Sequence, residues 1–101
     1  MLFVKENLEY HYTWIDGPDP ATFTGNPSRR LFNRFDGHQV LFIINYFAAQ
    51  ISNFTIDEGR RIEQLILRQL PMNAKSEISV CTWLEEVLKH PDQNLSKKIT
   101  L

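Results

Sequence analysis

Asp36 to Ile51, read DGHQVLFIINYFAAQI, decides how the rest of this chain must fold. From Val40 to Ile51, ten of the twelve residues are apolar or aromatic. Val40-Leu41-Phe42-Ile43-Ile44 alone would pass for a buried strand, because it is β-branched and apolar. The pattern continues through Phe47-Ala48-Ala49, however, and strands rarely exceed ~8–10 residues. Asp36 with Gln39 three residues on predicts a capping box, so a helix starts here. Projected at ~100° per residue, Val40, Ile43, Ile44, Phe47 and Ile51 share one face, with Leu41 and Ala48 flanking it. The other side carries Phe42, Asn45, Tyr46 and Ala49 and is still largely apolar. A helix apolar nearly all round has to be covered on both sides.

Two more helices follow. Thr55 and Glu58 form a second capping signal, opening a helix over 56–69 that Pro71 ends. Ile62, Leu65, Ile66 and Leu70 give it one apolar face, and Arg60, Arg61, Glu63 and Arg68 read as its solvated face. Ser79 or Ser76 caps a third helix reaching Lys89, with Val80, Trp83, Leu84, Val87 and Leu88 inward. His90 suits the negative end of that helix, and Pro91 prevents continuation.

Upstream of the central helix the period changes. Leu8, Tyr10, Tyr12 and Trp14 alternate with polar residues, which predicts a strand over 8–15. Asp16-Gly17-Pro18-Asp19-Pro20 is turn chemistry, and Ala21–Thr24 could return as a second strand. Ser28–Phe35 (SRRLFNRF) reads as one turn or an irregular segment packed through Leu31, Phe32 and Phe35. The predicted fold is therefore mainly α. It is a small three-helix domain with an N-terminal extended or β arm and a possible short β-hairpin. One domain spans 1–101: arm and loops over 1–35, the three-helix core over 36–90, and a polar tail over 91–101.

Composition narrows function mainly by exclusion. The chain has 101 residues, a net charge of −1 and a single cysteine, Cys81. One cysteine cannot close an intramolecular disulfide. Charges at Lys5, Glu6 and Glu9 interrupt the apolar core a signal peptide needs, and no run reaches the ~18–20 apolar residues of a membrane helix. The cytoplasm is the expected compartment. The near-neutral charge argues against holding nucleic acid by bulk electrostatics.

Local constellations yield two candidate surfaces. Arg29, Arg30 and Arg34, interleaved with Phe32 and Phe35, resemble an anion or single-stranded nucleic-acid contact. The plainer alternative pairs them with the acids Glu6, Glu9, Asp16 and Asp19 of the preceding segment. A helix-turn-helix fits poorly. The connection before the third helix exceeds ~3–4 residues, and that helix exposes Glu85 and Glu86 towards any phosphate. His11, His38 and His90 have no metal-ligand spacing, no phosphate-binding glycine loop exists, and Cys81 reads as a small buried hydrophobe. No catalytic residue, metal or cofactor is expected; the alternative of a small enzyme requires Cys81 beside a histidine or two carboxylates in one pocket.

The second surface is aromatic: Tyr10, Tyr12 and Trp14 of the arm, and Phe42 and Tyr46 of the central helix. Either the arm lies across the helix, or another molecule covers the Phe42–Tyr46 face. The functional expectation is a non-enzymatic interaction, assembly or regulatory subunit whose partner is a protein, a second copy in a homodimer being one candidate.

Overall fold

The structure, a computed structural model, describes residues 2–14 and 25–89. Three helices carry the fold: α1 over Gly37–Gln50, α2 over Ile56–Arg68 and α3 over Glu77–Lys89. The expected turn at 16–20, the return strand at 21–24, His90 and the tail at 91–101 lie outside the described residues.

Each helix begins where its capping residue stands. The Asp36 carboxylate accepts from the His38 N–H, and the Thr55 hydroxyl accepts from the Glu58 N–H. Ser76, rather than Ser79, caps α3 by accepting from the Ser79 N–H at 3.1 Å. The box expected at Asp36 is only half made. Gln39 turns inward instead, taking the Asn33 N–H at 2.8 Å and donating to the Leu31 carbonyl at 2.9 Å. Between α1 and α2 the chain reverses through Asn53 at φ 60°, a left-handed position that asparagine tolerates better than most residues.

Val40, Ile43, Ile44 and Phe47 of α1 are buried against Ile62, Leu65 and Ile66 of α2 and Val80, Cys81 and Leu84 of α3. Phe54 and Leu70, at the ends of α2, close the core, and Trp83, Val87 and Leu88 pack against its margin. The predicted inward faces are thus the observed ones, except that Ile51 is exposed. Arg60 is half-buried, and Glu63 does not belong to a solvated face at all, since it is completely buried. An amphipathic pattern assigns every charged residue to water; it cannot anticipate a carboxylate that other chain segments come to satisfy.

No sheet forms among the described residues. The arm is extended and meets the rest of the chain in a single parallel bridge, Thr13 to Asp36, so the predicted strand over 8–15 is corrected to a docked arm. Its period-two alternation still has a physical meaning. Leu8, Tyr10, Tyr12 and Trp14 are half-buried while Glu9, His11 and Thr13 are exposed. The partner that selects one side is a pair of helices, not a neighbouring strand. The second irregular segment pairs antiparallel at Leu31 and Ser76, where the Phe32 N–H donates to the Lys75 carbonyl at 2.8 Å. Of its three apolar residues only Phe32 reaches the core; Leu31 and Phe35 are exposed.

Candidate functional site

The arm is fixed by side chains of α1 and α2 acting on its backbone. Near its start, Asn45 holds Phe3 from both sides, accepting from the Phe3 N–H at 2.7 Å and donating to the Phe3 carbonyl at 2.8 Å. The Phe3 ring lies over Gly59, where any Cβ would collide with it. A helix-interior glycine costs ~1 kcal/mol relative to alanine, and here the missing side chain is the space the ring occupies. Next, Arg60 Nε donates to the Asn7 carbonyl at 2.9 Å.

Glu63 is the centre of the clamp. Its carboxylate accepts from the Glu9 N–H at 3.0 Å, the Tyr10 N–H at 3.1 Å and the Tyr12 hydroxyl at 2.6 Å. Burial, and then the bond to Glu63, push the Tyr12 hydroxyl far above its ordinary ionisation range. Its proton therefore stays in the bond. Trp14 ends the described arm, with its ring over Gly37, edge-on to His38 at 5.1 Å, and beneath Lys5 Nζ at 4.5 Å.

The arm therefore does lie on the helices, although not across Phe42 and Tyr46. Those two residues line a groove of about 330 Å³ with Asn45, Ala49 and Gln50 of α1 and Gly25 and Asn26 of the segment that precedes α1. Tyr10, Tyr12 and Trp14 are not among its lining residues. The five aromatic candidates thus divide: three dock the arm on its own chain, and two face the groove.

Two of the three arginines have partners within the chain. Arg30 Nη1 reaches the Glu77 carboxylate at 3.1 Å. Arg34 turns its guanidinium to the C-terminal end of α2, donating to the Leu70 carbonyl at 3.2 Å, where a cation meets the negative end of the helix dipole. Arg29 is exposed. Among the described residues, the acid that meets this segment is Glu77 of α3; Asp16 and Asp19 lie outside the described residues.

Glu77, completely buried, organises residues 28–36 much as Glu63 organises the arm. Besides Arg30 it takes the Ser28 N–H at 3.0 Å and the Gln39 amide at 2.9 Å. The sequence reading missed Glu63, Glu77, Gln39, Asn45, Gly37 and Gly59. For the glycines a signal was available, since glycine inside a strongly helical pattern often marks a close approach. For the carboxylates there was none, because their donors are 38 to 54 residues away.

Chemically reactive groups are muted. Burial, with the Glu85 and Glu77 charges adding to it, pushes the Cys81 thiol up to about 12, so it stays protonated at neutral pH. Among the described residues, no group of three or more His, Cys, Asp or Glu side chains is placed to hold a metal ion. No helix in that part is long and apolar enough to cross a membrane. Comparison with protein-family models, with curated proteins and with solved structures finds no match.

Proposed function

We propose that this chain is a small interaction subunit that self-associates through the face of α1 bearing Phe42 and Tyr46. The observation that carries the reading is the groove itself. None of its lining residues comes from α2 or α3, and all seven are uncharged. A surface that meets its own copy about a two-fold axis brings any charge near the axis close to its like, so an uncharged lining is compatible with self-pairing. Asn26 and Gln50 also carry amides that both donate and accept, which lets identical edges satisfy each other. The larger groove along α3 is lined by Ile78, Thr82, Trp83 and Glu86, among others, and its carboxylate makes it a poorer match for its own copy. The anion-binding alternative loses support, because Arg30 and Arg34 serve Glu77 and the end of α2.

Light scattering on the whole chain at tens of micromolar, a range that captures micromolar affinities, is the test. The expected outcome is a dimer for the native sequence and a monomer for Tyr46→Asp, with unchanged helix content. A strict monomer for the native chain defeats the proposal.

A further inference from the structure

We propose that the adjoining segments 28–35 and 67–76 form a peripheral docking face for a bilayer of anionic phospholipid. The inference is independent of the self-association proposed above.

The two segments run side by side. Backbone bonds of 2.8, 2.9 and 3.1 Å join Phe32 to Lys75, Arg30 to Glu77 and Ser28 to Ile78, and Arg34 reaches the Leu70 carbonyl at 3.2 Å. Along 28–35, Phe32 and Arg34 turn inward, to the core and to the end of α2. Arg29, Leu31, Asn33 and Phe35 are exposed. On the facing segment the Pro71 carbonyl accepts from the Ala74 N–H at 3.1 Å, which puts Met72 in the tip of a turn. Because Lys75 faces Phe32 and Leu70 faces Arg34, the register sets Met72 opposite the stretch between Leu31 and Phe35. Leu31, Phe35 and Met72 are 76%, 62% and 90% exposed. Single exposed apolar residues are ordinary, but three gathered on neighbouring segments mark an interaction surface.

Charge says what that surface meets. Residues 28–35 hold three arginines, residues 64–76 hold Arg68 and Lys75, and neither stretch contains an acid. Arg30 serves Glu77, whereas Arg34 rests on carbonyl oxygens. Arg29, Arg68 and Lys75 are exposed and form no ion pair among the described residues. On the α3 side the turn shares a groove with Glu86, which bounds the cationic face there. A chain of net charge −1 thus concentrates cations where its apolar groups protrude. An anionic bilayer matches both features. Each Lys or Arg near its surface strengthens binding about fivefold, and apolar side chains that project beyond the cations enter the acyl boundary. A single-stranded nucleic acid fits less well, because Leu31 and Met72 have no ring on which a base can stack.

The test is co-sedimentation of the whole native chain with two kinds of vesicle: phosphatidylcholine alone, and phosphatidylcholine with phosphatidylserine in equal parts. Binding is expected only to the anionic vesicles, and it should weaken as salt rises. Arg29→Gln, Arg68→Gln and Lys75→Gln combined should bind about 100-fold less. Leu31→Asn with Met72→Asn should bind about tenfold less. Circular dichroism should show native helix content for both variants. No binding at low salt overturns the proposal, and so does undiminished binding by either variant. Retention of a single-stranded oligonucleotide in place of the vesicles makes the face a nucleic-acid contact and overturns it equally.

Discussion

Glu63 and Glu77 are the same residue at the same complete burial, yet they are satisfied in different ways. Glu77 has a cation: Arg30 joins Ser28 and Gln39 around it, and the Glu77 N–H returns a bond to the Arg30 carbonyl at 2.9 Å. The donors that reach Glu63 among the described residues are all neutral, two backbone N–H groups and the Tyr12 hydroxyl. The difference teaches how a small helical domain holds long irregular segments in place. One buried carboxylate per segment gathers backbone donors that have no strand to pair with, and so the segment becomes ordered without a sheet. Gln39, itself buried, lies between the Glu77 carboxylate and the Leu31 carbonyl, so the Glu77 cluster ties α1, α3 and the loop into one network. The Glu63 cluster ties only the arm to α2. The first should behave as core and the second as a latch.

Glu77→Ala tests this most severely. It removes the acceptor shared by Arg30, Ser28 and the Gln39 amide; because Arg30 is 37% exposed, the cost falls at the lower end of the about 3–5 kcal/mol for breaking a buried pair. Denaturant titration should show a lowered midpoint for the entire cooperative transition. A loss under about 1 kcal/mol, the scale of a surface ion pair, would break the distinction.

Glu63→Ala should cost less, about 2–3 kcal/mol, because the donors it strands can swing out with the arm and reach water. Hydrogen exchange at the Glu9 and Tyr10 amides is expected to approach unprotected rates while the amides of α3 keep theirs. Equal loss at both places would show that arm and core open together.

Gly59→Ala should be smaller again. The helix gains up to ~1 kcal/mol in propensity, whereas the new methyl displaces the Phe3 ring at an overpacking cost of roughly 1–3 kcal/mol. Net destabilisation of about 1 kcal/mol is expected, with enhanced proteolysis confined to the arm. A stabilised variant would mean that Phe3 has another place to go.

Cys81 sharpens the comparison at alkaline pH. An unfolded thiol ionises near ~8.5, while the folded one is pushed up to about 12. Above the first value the unfolded state has lost a proton that the native state keeps, so stability falls as pH rises between them. The slope is at most ~1.4 kcal/mol per pH unit. Cys81→Ala should flatten that decline and leave the neutral-pH pattern of the two carboxylates unchanged. Tyr12, also raised, adds a similar decline above ~10, which Tyr12→Phe should remove.

Much of this fold was legible because its information is local. Asp36, Thr55 and Ser76 announce the helix starts, and the 3.6-residue rhythm of Ile62, Leu65 and Ile66 or of Val80 and Leu84 picks the inward faces. The arm's alternation was legible too, although its cause was misassigned. Period two only says that one side of an extended chain is covered, and helices can do the covering. What could not be read are interactions whose two ends are far apart in sequence. Glu63 looks like any charged helix residue until Glu9, Tyr10 and Tyr12 are placed against it. The candidate surface was half visible. The apolar excess at Phe42 and Tyr46 follows from composition on the helical wheel, whereas the route of the arm past that face depends on Asn45 and Gly59, whose roles are set by tertiary approach.

The separation between Phe3 and its seat at Gly59 also bears on how the protein is made. Synthesis proceeds from the N-terminus, at ~5–20 residues per second, so the arm leaves the ribosome before any of the surface that receives it. For several seconds it is a short peptide whose docking site does not yet exist, and the rings of Phe3, Tyr12 and Trp14 stay in water until α1 and α2 have followed.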